Sequence, residues 1–471
     1  MTLKNISRRH FLSASLAGSG AIMALSQKAK SARSEKELTA RRDKTVIKVV
    51  YMAKPVPTWP CPHIDINAEM QKINNVLTTL QKKSDRNIEF TGKELVRTAE
   101  DMPGFARTIS DIDGILAFNL TSTCGPMFRP IVDLGYPTVL FSQPYSGHDW
   151  SSVAGLQKQG KRVDIVSSSD FDDLEPVLRI FDAIRRTRQS AILCLRPHTE
   201  KNKAVRSLEE HYGLTIHVLN YDELKTLYGQ SDTKKAAQLA DAFINGAVRM
   251  VEPGKKDVVE SMRLYLAINE LLARYGSNVI TIDCLGGFRR NDLPAYPCVS
   301  WTLLNNEGRI GVCEADLDST VTQIMLQYLT GKPGFVSDPV IDTKTNTVIH
   351  AHCVSATKMD GPRGAECPYI IRSHMEDNKG VSVQVKMRVG QEITLAKLIN
   401  CTDMLISTGK IIDNPEGERG CRTKVTTTVS DANELLHNYT GGLHRLMVYG
   451  NHVDEIQKMG YLMGFKLQHE F

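Results

Sequence analysis

Two acidic side chains are spaced so that they could hold a divalent cation. Glu314 opens a helical pattern, and Asp338 follows the end of that pattern after the turn Gly331–Gly334. Acidic residues a helix apart in sequence can converge in space, and carboxylate oxygens are ligands of hard divalent cations. Both residues also have ordinary explanations, because carboxylates favour the first turn of a helix and an aspartate before Pro339 is typical of a turn. Spacing alone favours those explanations.

Three further segments lie before and after this acidic pair in the sequence. Asn291–Cys298 lies upstream, and Ile349–Cys353 and Gly441–Gly450 lie downstream. In this order the segments resemble the C-terminal half of the L-fucose isomerase and L-arabinose isomerase superfamily, most clearly over residues 280 to 471. The resemblance before residue 280 is one of architecture only.

The resemblance implies a divalent cation, usually manganese, and the interconversion of aldoses and ketoses. His350 is an alternative to the implied ligand His352, and His437 is an alternative to the implied ligand His444. The family also tends to form trimers or hexamers. Carried over residue by residue, the implied metal ligands are Glu314, Asp338, His352 and His444.

Sugar isomerisation explains why such a ligand set would be useful. The reaction moves a proton between C1 and C2 of the open-chain sugar through an enediol, whose developing charge a divalent cation stabilises. Carboxylates must also carry the proton within hydrogen-bond reach. Glu314 and Asp338 would both ligate the cation and act as the catalytic carboxylates.

The N-terminus has the pattern of a twin-arginine export signal. Ser7–Leu12 contains the arginine pair, and the weakly apolar run Phe11–Leu25 follows it. This run is too short and too rich in glycine and serine to span a membrane. The sequence predicts a signal peptide at residues 1–31 and a periplasmic or otherwise exported protein.

The net charge of the chain belongs to this predicted signal. The chain has 58 Lys and Arg residues against 53 acids. Five of the basic residues, and none of the acids, lie within residues 1–31. The remaining chain is close to neutral, so its charge does not indicate a nucleic-acid partner or an anionic membrane surface.

Periodicity predicts an α/β protein with three domains after the signal. Short apolar strands alternate with helices over 40–150 and again over 151–290, which predicts two Rossmann-like parallel-sheet domains. Val163–Val166 is assigned to the second of them. Alternating strands over 291–471, including Gly380–Met387, predict an antiparallel barrel or sandwich. The family resemblance implies that this C-terminal domain is a β-barrel domain with the metal site. No phosphate-binding glycine motif supports a nucleotide cofactor.

The ten cysteines are scattered without a pairing rhythm. Several lie in apolar strand patterns, which favours buried free thiols over disulfides. Cys313 and Cys353 adjoin proposed ligands and are interpreted as packing around the site.

Two functions from other classes remain open at this stage. The chain could be an exported sugar-binding protein that retains the fold without turnover. It could also be a sugar epimerase or lyase on the same scaffold, because exported sugar isomerases are unusual in the family it resembles.

Overall fold

The structure is a computed structural model that describes residues 43–470. The chain divides into two compact units whose boundary lies between Phe181 and Asp182. The predicted export signal at residues 1–31 lies outside the described residues and stays a prediction. Within the described range, no helix is long and apolar enough to cross a membrane.

The first unit contains a five-stranded parallel sheet. Its strands are β1 (Thr45–Met52), β2 (Ile88–Val96), β3 (Gly114–Asn119), β4 (Thr138–Ser142) and β5 (Val163–Ser167). Its helices are α1 (Ile66–Lys83), α2 (Met102–Arg107), α3 (Gly125–Asp133) and α4 (Val153–Lys158). The strand order is β2-β1-β3-β4-β5. Every residue of β3 and β4 is buried, as expected of parallel strands covered on both faces.

Strand β5 belongs to this first sheet and not to the second domain, where the sequence analysis assigned it. It pairs in parallel with β4, from Thr138 opposite Val163 to Ser142 opposite Ser167. The short helix α4 lies in the crossover between the two strands, as a parallel pairing requires. An isolated apolar strand has the same pattern in either sheet, so the sequence did not separate the two possibilities.

The second unit begins with a four-stranded parallel sheet in the order β10-β9-β6-β7. The strands up to residue 313 are β6 (Ala191–Leu195), β7 (Thr215–Leu219), β8 (Arg249–Met250), β9 (Val279–Ile282) and β10 (Ile310–Cys313). The helix α5 (Glu175–Arg188) crosses the boundary between the units. The helices that follow are α6 (Lys203–Tyr212), α7 (Asp222–Gln230), α8 (Thr233–Gly246), α9 (Lys255–Arg274), α10 (Cys284–Arg289) and α11 (Cys298–Asn306).

This sheet extends beyond residue 290, where the sequence analysis began the barrel domain. Strand β10 pairs in parallel with β9, with Cys313 opposite Ile282. Trp301 of α11 lies against Gly311 of β10, where a Cβ atom would meet the indole at 2.5 Å. The segment from α11 to β10 therefore completes the second sheet before the chain enters the barrel.

The C-terminal part of the second unit is a closed barrel, as predicted. The strands in and beside this barrel are β11 (Phe335–Asp342), β12 (Thr347–His352), β13 (Tyr369–Arg372), β14 (Ser382–Val385), β15 (Glu392–Ile399), β16 (Asp403–Asp413), β17 (Thr423–Thr428), β18 (Arg445–Tyr449) and β19 (Lys466–His469). Its helices are α12 (Leu317–Thr330), α13 (Ala432–Asn438) and α14 (Val453–Met463). The antiparallel strands β15-β18-β11-β12-β17-β16 close when β16 pairs with β15. Strand β19 joins β16 in parallel.

Strand β14 is not part of the barrel, although the sequence analysis included Gly380–Met387 in it. It forms a separate three-stranded sheet with β13 and β8. Val381, Val383 and Val385 are buried there. Alternation along the segment correctly indicated a strand, but it carries no information about the partner strand.

Helix α12 is buried on nearly all sides within the second unit. Eleven of its 14 residues are buried, and the large polar residues Gln323 and Gln327 are among them. The Asp316 side chain caps its first turn, and Gly331 ends it with φ 72°. The helix therefore separates the turn that carries Glu314 from strand β11, which carries Asp338.

A buried ion pair fixes the chain before β18. Arg445 donates to both carboxylate oxygens of Glu470 at 2.6 to 3.1 Å, and each side chain is only 2% exposed. The Arg445 guanidinium also donates to the carbonyl oxygens of Thr440, Gly442 and His444. The pair therefore holds the loop on which His444 lies.

We expect Glu470→Gln to lower the free energy of unfolding by about 3 kcal/mol, because it leaves the buried Arg445 charge uncompensated. Urea denaturation would measure the change. Glu416→Gln is the matched control, since the Glu416 side chain is 68% exposed and its pair with Lys386 lies at the surface. That control should leave stability nearly unchanged. Equal effects of the two substitutions would contradict the expectation.

Candidate metal centre

Glu314 lies in the tight turn between β10 and α12, not in the first turn of the helix as the sequence analysis expected. Glu314 and Ala315 have φ values of 63° and 52°, a left-handed conformation that is unusual for residues with a side chain. The helix begins at Leu317, and its N-cap is Asp316, which accepts from the Ser319 N–H at 3.0 Å. Capping the helix therefore does not account for Glu314, and backbone strain at this turn is typical of a functional position.

Asp338 lies on β11. This strand pairs on one side with β12, which ends in His352, and on the other side with β18, which His444 directly precedes. Asp338 is opposite Ala351 of β12, so His352 is next to it at the end of that strand. On the other side of β11, Ser337 is opposite Arg445 of β18, and His444 directly precedes that strand. Antiparallel pairing therefore brings together an acid and two imidazoles that are distant in sequence.

The structure places these side chains around one point. The His444 Nε2 atom is 3.3 Å from Asp338 Oδ1 and 3.5 Å from Glu314 Oε2. The His352 Nε2 atom is 3.7 Å from Glu314 Oε1. Ligand atoms of Asp338, His352 and His444 all lie within 4.8 Å of one another. All four residues that the resemblance implied as ligands therefore converge.

Three of these atoms are buried and have no hydrogen-bond partner within residues 43–470. They are Asp338 Oδ1, His352 Nε2 and His444 Nε2. Buried polar atoms are rarely left unsatisfied in folded proteins, so atoms that share a small space call for an explanation. A carboxylate and imidazole donor set suits a divalent transition-metal cation such as manganese. The residues present therefore fit the cation that the resemblance implied.

A hydrogen bond orients His444 for this role. Its Nδ1 atom is 2.8 Å from Asp316 Oδ2, and a carboxylate can only accept there, so Nδ1 carries the proton. In the neutral ring, the lone pair of Nε2 then faces Glu314 and Asp338. An imidazole that ligates a metal commonly donates its second nitrogen to a carboxylate in this way, which fixes both its tautomer and its orientation.

Asp316 is held in place by two further donors. It accepts from the Ser319 hydroxyl at 2.8 Å and from the ammonium group of Lys397, which is buried on β15. Burial would raise the pKa of Asp316, but hydrogen bonds from His444 and Lys397 outweigh it and hold the pKa well below its ordinary value. Asp316 is therefore a fixed anion behind His444.

His352 is oriented differently. Its Nδ1 atom accepts from the Cys353 N–H at 2.9 Å, so in the neutral ring the proton lies on Nε2 and points towards Glu314. Burial and the nearby charges of His444 and His374 lower the pKa of His352 to about 3. His352 therefore resembles a neutral hydrogen-bond donor, and Nε2 would have to lose its proton before it could ligate a cation.

The two competing histidines are located elsewhere. His350 is buried in the barrel, where Nδ1 is 3.2 Å from Ser337 Oγ and Nε2 is 3.1 Å from Thr427 Oγ1. Burial lowers the pKa of His350 to about 3, as expected of a neutral core histidine. His437 is exposed near the end of α13 and belongs to neither cluster of ligand atoms found in the described chain.

Burial and the charges of neighbouring groups shift the pKa values at the site. Burial raises the pKa values of Glu314 and Asp338, and the charge of Glu376 contributes to both increases. Burial alone would lower the pKa of His444, but the hydrogen bond to Asp316 and the surrounding carboxylates raise it overall. A bound cation would instead favour ionised carboxylates and a neutral imidazole.

The sequence analysis missed three contributors to this site. Lys397 had a visible signal, because it is a single charged residue in the apolar strand Ile393–Ile399. Asp316 had no distinctive signal, because an acidic residue at the start of a helix is common. Glu376 lies in an exposed loop and had no sequence signal that linked it to Glu314 or Asp338.

We expect Asp338→Asn to raise the free energy of unfolding of the metal-free protein near neutral pH. Burial raises the pKa of Asp338 in the folded state, so ionisation destabilises the fold at pH values above the ordinary pKa. The gain should be on the order of 1 kcal/mol. It should disappear below about pH 4, where the carboxyl is protonated in both states. Urea unfolding of chelator-treated protein at both pH values would test this, and a variant less stable than the wild type at neutral pH would contradict it.

No family model matches the chain. The chain is 22% identical to sulfoquinovose isomerase of Priestia megaterium over 184 residues, which cover 37% of this chain and 40% of that protein. It is also 22% identical to sulfoquinovose isomerase of Clostridium sp. (strain MSTE9) over 257 residues, which cover 52% of this chain and 56% of that protein. The chain thus spans about half the length of the curated relatives it matches. These distant relatives are named as sugar isomerases.

Proposed function

We propose that this chain is a metal-dependent aldose–ketose isomerase with Glu314, Asp338 and His444 as the principal ligands of a divalent cation. The observation that carries the proposal is the convergence of unsatisfied buried atoms of Asp338, His352 and His444 beside the Glu314 carboxylate. The isomerase names of the distant relatives support the reaction class. His352 is the additional ligand candidate, although its Cys353 hydrogen bond favours a donor role.

The reaction requires that a very weak carbon acid lose a proton. A divalent cation would supply the electrostatic stabilisation of the enediol oxygens as a Lewis acid. The carboxylates then have to remove a proton at one carbon and return it at the next. Glu314 and Asp338 are suited to this because one oxygen of each carboxylate lies within 3.5 Å of the same atom, His444 Nε2, so both acids border one small space.

The neighbouring residues hold these carboxylates and would orient the sugar. Asp316 keeps the His444 proton on Nδ1, which directs Nε2 towards the acids. The His352 Nε2–H is positioned to donate to a sugar oxygen or to Glu314. The strained turn at Glu314 limits the freedom of its side chain, which favours a fixed distance between base and substrate.

The proposed substrate class is a monosaccharide or sugar derivative in its open-chain form. The relatives' name refers to a sulfonated sugar, so acidic sugars belong in the substrate panel alongside neutral aldoses and ketoses. Manganese is the proposed cation. Export through the twin-arginine pathway and a trimeric or hexameric assembly remain proposals based on the N-terminal pattern and the family resemblance.

The test uses the full chain after removal of metal with a chelator and restoration with Mn²⁺. Neutral and acidic aldoses and ketoses are incubated with both forms, and the products are identified by NMR. Conversion of an aldose to its ketose by the Mn²⁺-restored form alone would support the proposal. Binding without turnover would instead favour a sugar-binding protein, and an aldose product would favour an epimerase.

A further inference from the structure

Two thiols lie in contact directly behind the Glu314 turn. The sulfur atoms of Cys284 and Cys313 are 2.9 Å apart, and each residue is 4% exposed. Cys313 ends β10, and Cys284 is the first residue of α10, two positions after the end of β9. Because β9 and β10 are paired in parallel with Ile282 opposite Cys313, the sheet holds the two thiols close together.

We propose that Cys284 and Cys313 form an oxidation site, which a hydroperoxide converts to a disulfide that disturbs the turn carrying Glu314. A disulfide has a sulfur–sulfur distance of about 2.0 Å, so the atoms would approach by less than about 1 Å. The two cysteines are already adjacent in the folded protein, and the reaction needs no large rearrangement to bring them together.

A small oxidant can approach this pair through the candidate metal centre. The Cys313 sulfur lies within 4.8 Å of ligand atoms of Glu314 and His352, which also lie within that distance of each other. The Glu314 side chain is 33% exposed, so solvent reaches the candidate metal centre at this residue. The proposed oxidant is therefore a small hydroperoxide.

The oxidation balances in two steps. The Cys313 sulfur attacks one peroxide oxygen, so that a sulfur–oxygen bond forms and the oxygen–oxygen bond breaks. The thiol proton leaves with the released oxygen as water or an alcohol, and Cys313 becomes a sulfenic acid. The Cys284 sulfur then attacks the Cys313 sulfur, a sulfur–sulfur bond forms, and the hydroxyl leaves as water with the Cys284 proton. The sulfurs are oxidised by two electrons in total, and the peroxide is reduced.

The reaction should be slow. Each of the two cysteines is only 4% exposed, so an oxidant seldom reaches either sulfur. The site therefore responds to sustained oxidant and not to brief exposure.

The disulfide would act on the metal centre through the backbone. Cys313 directly precedes Glu314, whose φ of 63° is already strained. Movement of the Cys313 sulfur towards Cys284 would change the direction in which the Glu314 carboxylate points. This consequence, unlike the oxidation itself, rests on the proposed metal centre.

The first test measures thiol chemistry in the metal-free full chain and needs no activity. The protein is treated with hydrogen peroxide, remaining thiols are alkylated, and peptides are mapped without reduction. We expect a linked pair of peptides containing Cys284 and Cys313 that separates on reduction. Cys284→Ser should lose this link, whereas Cys194→Ser should keep it, because Cys194 is buried on neighbouring strand β6. A link only between Cys353 and Cys421, whose thiols also interact, would overturn the proposal.

The second test measures Mn²⁺ affinity by calorimetry before and after oxidation. We expect about 10-fold weaker binding after oxidation of the wild type, in the range seen when residues that orient a ligand are changed. Cys284→Ser should show no such loss. A linked protein with unchanged affinity would overturn the effect on Glu314. Absence of Mn²⁺ binding in the reduced protein would contradict the metal centre, while the peptide map would still decide the oxidation site.

Discussion

Glu314→Gln is expected to abolish isomerisation while the fold is retained. Gln keeps the size of the side chain but removes the charge that would hold the cation and accept the substrate proton. The turnover number should fall by at least about 10³-fold, the scale of a lost general base combined with weakened metal binding. Glu314 does not cap α12, so we expect no loss of helix stability.

Isotope exchange separates this expectation from a simple loss of metal. In D₂O, the wild type with Mn²⁺ should introduce deuterium at the carbon next to the sugar carbonyl, and Glu314→Gln should not, even at saturating Mn²⁺. His437→Ala is the matched control, because His437 is exposed and lies outside the cluster. That variant should behave as the wild type. Normal turnover in Glu314→Gln would rule out the proposed site.

Asp316→Asn is expected to weaken Mn²⁺ binding by about 10- to 100-fold, although Asp316 is not itself a proposed ligand. Oδ2 of Asp316 accepts from His444, Ser319 and Lys397, while Oδ1 accepts from the backbone N–H of Ser319. An asparagine has one acceptor oxygen and one donor nitrogen, so it cannot satisfy donors at both positions. His444 would lose the partner that fixes its tautomer.

The same substitution should lower the free energy of unfolding by about 3 kcal/mol, because Lys397 is left as a buried charge without its carboxylate. The double variant Asp316→Asn/Lys397→Met removes that charge and should recover much of the stability. It should not recover Mn²⁺ affinity, because the anion behind His444 is still absent. Calorimetric titration and urea denaturation of both variants separate the two effects. Wild-type affinity in Asp316→Asn would show that Asp316 does not orient His444.

Local sequence pattern was sufficient for individual elements and for the fold class. Largely apolar runs such as Gly114–Asn119 indicated buried parallel strands, and alternation indicated an antiparallel barrel or sandwich. Local sequence pattern was not sufficient to identify which strands pair with each other. The partner of Val163–Ser167 depends on the crossover through α4, and the partner of Ser382–Val385 depends on strands more distant in sequence. Periodicity describes a strand's faces and not its neighbours.

For the site as well, the sequence indicated the residues but not the contacts between them. The resemblance indicated Glu314, Asp338, His352 and His444, and the structure brings all four together. The spacing of a motif does not reveal hydrogen bonds, so it could not show that His444 is oriented by Asp316 or that the Cys353 N–H occupies one nitrogen of His352. Those contacts favour His444 as the stronger ligand.

The most direct test of the account is the metal content of the purified full chain, measured by elemental analysis beside three variants. We predict about one manganese or similar divalent ion per chain. The ion should be lost in Glu314→Gln and in His444→Ala and retained in His437→Ala. A wild-type protein that stays metal-free after reconstitution with Mn²⁺ would contradict the metal-dependent isomerase and leave a sugar-binding function as the better explanation.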